Sequence, residues 1–454
     1  MLNFIGKHKP EYTRRSKEFF DLTAPIFLEQ TFVVMLGIVT TIMVSDVGEH
    51  ALSAVSMVDS IGNLVSAFFA ALTVGGTIVV AQYTGRGDHA KVAGVTAQAI
   101  LLAIFFGAIF CVVLAIFRVQ VIDLLFGHAE YAVVVDARLF LGIIAFSFPA
   151  IAVMMTAFGV LRGTGNTRVP MLITIAINIV NVVLGLILIR HFGVAGAAFA
   201  LLISRYIGAL LGVLYILKRS STIRFAGIKD LKPDFAIQKI ILSFGLPTSV
   251  ESGTFQMGKL LITVFVAGMG TAAIAANAVV SSIAGILNAP GGAFSTGAVI
   301  LTGQRVGREE TDDVRKTAYF SVVAAMVVLT VVCFFTFVLM NPILSLYNTT
   351  DEMLVILPLV LITLFIATPI AWPASFVTPG ALRATGDVKY TMVVAVASMI
   401  FVRIVLAYVL GVYFGLGILG IWFSMYADWV VRGGFFLNRV RNGKWQGRGV
   451  VRGD

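Results

Sequence analysis

The chain has 454 residues, 59% of them hydrophobic and 12% charged, and a formal net charge of +10. Ordinary soluble proteins run at about 45–50% apolar and ~25% charged residues, so this composition excludes a water-soluble globule. It equally excludes a disordered chain, which needs low hydrophobicity and high charge, and leaves few faces for the basic stripe that nucleic acid requires.

The N-terminus, MLNFIGKHKPEYTRRSKEFF, lacks a short apolar core followed by a small-residue cleavage site. Residues 1–16 are therefore expected to be a cytoplasmic tail and not a cleaved signal peptide. Apolar runs follow, each long enough to carry a helix through a hydrocarbon core of roughly 30 Å. In chain order they fall at about 17–44, 51–82, 92–117, 139–160, 169–189, 193–217, 239–268, 272–303, 317–341, 353–381, 390–413 and 416–437, an expected twelve spans. Continuous apolar runs of this kind, not ten-residue alternating segments, point to helices and against a barrel.

All but six of the 33 cations fall in the N-terminal tail, in every second connection and in the C-terminal stretch. The six are Arg118, Arg138 and Arg190 at the opposite connections and Arg205, Lys259 and Arg403 within spans. By the positive-inside rule both termini are then cytoplasmic in a multi-pass protein of a prokaryotic inner membrane. The expected domains are an N-terminal six-helix bundle at 17–217, a basic linker at 218–238, a C-terminal bundle at 239–437 and a tail at 438–454.

The halves repeat. Pro25-Ile-Phe-Leu-Glu29 answers Pro247-Thr-Ser-Val-Glu251, and Gln82-Tyr-Thr-Gly85-Arg86 answers Gln304-Arg-Val-Gly307-Arg308. Gly159-Val-Leu161-Arg162-Gly-Thr164-Gly165 answers Gly380-Ala-Leu382-Arg383-Ala-Thr385-Gly386, and Cys111 answers Cys333. With six spans per half, the repeats are parallel, related by an axis along the membrane normal. Two such bundles that rock against each other favour a secondary transporter over an enzyme or a channel. No GxxxxGK[ST] loop is present, so the energy is expected from an ion gradient or the membrane potential. Two cysteines without a CxxC and five scattered histidines offer no metal-ligand spacing. No cofactor is expected beyond the coupling ion, H⁺ or Na⁺.

Ionisable groups inside a span are costly and are functional candidates. Glu29 and Glu251 each lie twelve residues beyond a cytoplasmic lysine, about 18 Å into the helix, and are the candidates for cation coupling. Phe32 and Phe255 follow on the same helical face. Lys259 lies eight residues after Glu251, about 80° round the helix. Asn178, Asn181, Gln256 and Asn277 are uncharged candidates for the cavity, equally suited to interhelical bonding. Asp59, whose repeat mate is Ser281, and Arg403, which needs a buried partner, complete the set. Asp428 and Arg432, at i and i+4, read as a local ion pair.

Two parallel six-span halves, the paired G-x-L-R-x-T-G turns, VESGTFQMGKLL, FVRIVLAYVL and IWFSMYADWVVRGGFFLNRVRNGKW together resemble the MATE (multidrug and toxic compound extrusion) transporters over about residues 17–445. The resemblance implies an all-α efflux pump driven by inward H⁺ or Na⁺ that exports organic cations and amphipathic drugs. It carries the family's span 7 glutamate onto Glu251. Family aspartates expected near Thr40 and Thr41, or near Asn181, are absent, which leaves coupling to Glu29 and Glu251 or to Glu251 alone. The expected partners are a small-molecule substrate and the lipid bilayer, with the protein a monomer. The alternative is a lipid-linked saccharide flippase of a related superfold; with every histidine outside the spans, an intramembrane enzyme is not expected.

Overall fold

The computed structural model describes residues 9–218, 220, 222–223, 232–345 and 351–450. Residues 1–8 of the expected N-terminal tail, 219, 221 and 224–231 of the expected linker, and 451–454 of the C-terminal tail lie outside the described residues, as do 346–350.

Every regular element among the described residues is helical, because within a bilayer only a helix or a closed barrel pairs all backbone groups internally. The first half supplies α1 (Lys9–Ser45), α2 (Glu49–Arg86), α3 (His89–Ile116), α4 (Arg118–Phe126), α5 (Tyr131–Ile144), α6 (Phe148–Gly163) and α7 (Arg168–Lys218). The second supplies α8 (Phe235–Ala267), α9 (Thr271–Gly307), α10 (Thr311–Val338), α11 (Met340–Leu344), α12 (Asp351–Phe376), α13 (Thr378–Ala384), α14 (Val388–Ala397) and α15 (Gly417–Arg441).

Among the described residues nine stretches are long and apolar enough to cross a membrane. One of these, Arg168–Lys218, is two helices that meet at Gly193, whose φ of 54° breaks the helix. Two further long helices, α8 and α15, carry charged residues that lower their hydropathy, and with them the set is consistent with the twelve spans expected. The chain is a multi-pass membrane protein. Most of the helices overrun the apolar windows by up to two turns, since polar ends continue the helix beyond the hydrocarbon. The short α4 and α11 were not anticipated; they start at equivalent repeat positions, 118 and 340.

The repeat is visible in the backbone. Gly48 and Gly270 open α2 and α9 with φ of 136° and 100°. Gly165 and Gly386, the last residues of the two G-x-L-R-x-T-G turns, have φ of 90° and 95°. In these turns the Gly165 N–H bonds the Arg162 carbonyl at 2.8 Å, and the Gly386 N–H bonds that of Arg383 at 2.9 Å.

Two compact units result. One comprises Leu28–Ser249, the other Met1–Phe27 together with Val250–Asp454. The boundaries therefore fall inside α1 and α8, at equivalent points just after Pro25 and Pro247, where a proline removes an intrahelical donor. In the first unit the core holds Phe69, Phe140 and Phe148 among small residues of α2, α5 and α6. The start of α8 belongs here: the side chain of Gln98 donates to the Lys232 carbonyl at 2.8 Å and accepts from the Asp234 N–H at 3.0 Å. In the other unit Phe19 of α1 packs on Phe294 and Phe320, with ring centroids 5.3 and 5.5 Å away. Trp372 stacks on Phe376 at 4.7 Å.

The segment from α14 to Tyr413 passes through two π-helical turns, Ser398–Ile404 and Ala407–Tyr413. Such turns are uncommon and gather at functional sites. Arg403 lies in the first.

Candidate functional site

In the unit Leu28–Ser249, Glu29 sits one turn beyond Pro25 and is 5% exposed. Its Oε1 accepts from Arg162 Nη2 and lies 3.4 Å from Thr174 Oγ1. Its Oε2 is buried and unpartnered, as is Arg162 Nε. One turn on, the Phe32 carbonyl accepts from Asn178 Nδ2 at 2.9 Å, while the Asn181 Nδ2 is buried without a partner. The structure thus brings Glu29, the Phe32 main chain and Asn178 together along α1 and α7.

The other unit repeats this motif. Glu251 follows Pro247 by four residues, and Arg383 Nη2 donates to its Oε1 at 2.7 Å. Glu251 Oε2 and Arg383 Nε are again buried and unpartnered. Each guanidinium belongs to the arginine of a G-x-L-R-x-T-G segment, in the last turn of α6 or α13. Each carboxylate is thereby tied to the arginine-bearing end of another helix, α6 or α13.

Beyond Glu251, Phe255 packs edge-on against Phe376 at 6.1 Å. Lys259 Nζ lies 5.1 Å and the Arg403 guanidinium 5.3 Å from the Phe255 ring centroid. Arg403 has the buried carboxylate of Asp428 at 3.9 Å. Asp428 is 0% exposed, accepts from Ser398 Oγ at 2.5 Å and lies 3.8 Å from Arg432 Nη2. Arg432 Nε donates to Ser375 Oγ at 2.7 Å, and its guanidinium covers the Phe376 ring at 4.4 Å.

The remaining candidates stand apart from these clusters. Asp59 is exposed on α2, and Arg205 donates to Ser147 Oγ at 2.6 Å. Asn277 Oδ1 accepts from Trp422 Nε1 at 3.2 Å and so joins α9 to α15. Gln256 is half-buried on α8 and takes no part in the bonds described. Sequence reasoning missed Arg162, Arg383, Thr174, Ser398 and the wider role of Asp428. The signal for the two arginines was available: each glutamate and each turn arginine recurs at the same place in both halves. Among the described residues no three His, Cys, Asp or Glu side chains converge as a metal site.

Comparison with known proteins bears on this geometry. A family model described as MatE matches the chain twice, over residues 25–187 and 247–409, segments that coincide with the internal repeat. The chain is 27% identical to an uncharacterized transporter, YisQ, of Bacillus subtilis over 442 residues, covering 95% of each. It is 26% identical to a probable multidrug resistance protein, NorM, of Thermotoga maritima over 99% of this chain and 97% of the relative. Among solved structures, a MATE in the bent conformation aligns with a TM-score of 0.87 at 20% identity, over 95% of this chain and 96% of that one. A MOP superfamily transporter from Pyrococcus furiosus, whose binding pocket is described as having reverse polarity, aligns with a TM-score of 0.85 at 21% identity, over 94% and 95%.

Proposed function

The chain belongs to the MatE family of transporters, and from that premise we propose that it is a secondary active antiporter. It exports amphipathic organic compounds, organic cations included, in exchange for H⁺ or Na⁺ by alternating access, with both termini in the cytoplasm of a prokaryotic inner membrane. The multidrug class of its NorM relative supports the substrate range. The observation that carries the mechanism is the duplicated pair Glu29–Arg162 and Glu251–Arg383.

In each pair one carboxylate oxygen is taken by the arginine and the other is buried and free of hydrogen bonds. That free oxygen is the acceptor for a proton. Protonation removes the charge that holds the guanidinium, so the bond from the arginine loses its charge-assisted character. A sodium ion would act alike by competing for the same oxygens. An organic cation reaching Glu251 has to take the place of Arg383. Competition among arginine, coupling ion and substrate at one carboxylate is therefore the exchange step.

The test is efflux of ethidium from vesicles with the proton and sodium gradients collapsed separately. Glu251→Gln is expected to abolish gradient-driven efflux and Glu29→Gln to reduce it; undiminished efflux in the double variant would end the reading. The flippase reading retains one supporting observation, the buried cations Arg403 and Arg432, which suit a pyrophosphate. Thermal stabilisation of the purified protein by a polyprenyl phosphate but not by organic cations would favour it.

A further inference from the structure

Within the unit that holds Val250–Asp454, the intramembrane charges do not balance. Glu251 is engaged by Arg383, and the other carboxylate, Asp428, lies between the guanidiniums of Arg403 and Arg432. Arg432 has further compensation, from Ser375 and the face of Phe376. Arg403 has less. It is 5% exposed, and its Nε and Nη1 are buried with no hydrogen-bond partner. Lys259, exposed on the unit's surface, adds a second cation over the same Phe255 ring. Lys259 forms no ion pair among the described residues.

A guanidinium and an ammonium share one aromatic ring, at 5.3 and 5.1 Å from its centroid, so they lie within about 10 Å of each other and repel. Unpaired charge at such a place is costly unless a partner arrives. A cationic ligand would add to the repulsion. An anion would relieve it, satisfy the orphan donors of Arg403, and place any attached ring beside Phe255. The π-helical turn that carries Arg403 makes this side chain's placement a local property of the C-terminal half. The equivalent stretch of α7 is regular helix and reads Asn178-Ile-Val-Asn181-Val, without a cation.

We propose that Arg403, Lys259 and Phe255 form a binding subsite for an amphipathic organic anion, an aryl carboxylate, in addition to the cationic compounds of the multidrug range. The subsite rests on the reading of the chain as an exporter of amphipathic compounds and specifies a substrate class for it. Arg403 donates to the carboxylate, Lys259 supplies the second charge, and Phe255 bears the ring. Asp428, bonded by Ser398, holds the Arg403 guanidinium in place.

The test uses the full chain in phosphatidylcholine nanodiscs, with fluorescence polarisation of carboxyfluorescein and of ethidium as paired probes. Carboxyfluorescein is expected to bind saturably. Arg403→Gln should weaken it about tenfold or more and Lys259→Gln about threefold, the loss of charge-assisted bonds, shifting discrimination toward ethidium. Arg403→Lys should retain part of the binding. If Arg403→Gln fails to fold, Lys259→Gln and Arg403→Lys decide. Binding no greater than to empty nanodiscs, or unchanged in these variants, overturns the subsite. So does loss of carboxyfluorescein binding when phosphatidylglycerol replaces phosphatidylcholine, which would assign the cations to a lipid headgroup. Ethidium efflux under a gradient separates the two readings. If it persists without carboxyfluorescein binding, the subsite falls and the exporter stands; if it is absent while carboxyfluorescein binds, the exporter falls.

Discussion

A carboxylate between two guanidiniums in the interior of a membrane protein is held by mutual compensation, and removing it leaves two buried cations. Asp428→Asn keeps the shape and the bond with Ser398 but strips the charge from beside Arg403 and Arg432. The cost is expected to be about 3–5 kcal/mol, that of breaking a buried ion pair from one side. A lowered unfolding midpoint in mild detergent would record it, and an unchanged midpoint would show the arginines to be compensated elsewhere. At the other pair, Glu29→Gln and Arg162→Gln remove the two ends of one bond. Their effects on stability should be non-additive by about 0.5–3 kcal/mol in a double-mutant cycle. Additive losses would mean that the two side chains act through separate partners. These residues were individually conspicuous in the sequence, but their pairing was not, because Glu29 and Arg162 are 133 positions apart.

Helix contacts set the next scale. A Cβ on Gly75 of α2 would come within 2.9 Å of the Gly245 backbone nitrogen of α8, and one on Gly245 within 3.2 Å of the Leu72 backbone. Small residues at such crossings let helix backbones approach within a membrane. Gly75→Val must push α2 and α8 apart, and the expected result is poor accumulation in the membrane and loss of efflux. Normal accumulation with full efflux would show that the contact yields cheaply. The repeat makes a second case. Gly87 closes α2 with φ of 79°, while its repeat mate after α9 is Glu309, with φ of 60°. A left-handed conformation costs a non-glycine residue about 1–2 kcal/mol. Glu309→Gly is therefore expected to raise the unfolding midpoint, and a fall would mean that the glutamate side chain repays its strain. The hydrophobic runs made the helices themselves legible. They also placed a boundary at the Gly193 break, between the runs 169–189 and 193–217. The break between Phe376 and Thr378 and the π-helical turns around Arg403 were not legible, since an apolar run has the same composition whether its helix is continuous, broken or widened.

Over the whole molecule, each compact unit takes the beginning of one long helix from the other half of the sequence: Met1–Phe27 counts with Val250–Asp454, and the start of α8 with Leu28–Ser249. A chain divided at residue 230 is therefore expected to give fragments that accumulate poorly alone and recover efflux when co-expressed. Full accumulation of either fragment alone would contradict this. Composition, apolar run length and cation placement by themselves determined a helical, multi-pass membrane protein built of two matched halves, because hydrocarbon thickness and backbone hydrogen bonding leave few other solutions. The internal repeat and the short motifs pointed to the transporter family in the same way. Only the tertiary structure decided which cation meets which carboxylate. A turn arginine that looked like a topological marker closes on a glutamate in another helix, and Arg403 meets Asp428 while keeping two donors unpaired. Such pairings join residues far apart in sequence, and they are set by where helices start, cross and widen, which no local pattern encodes.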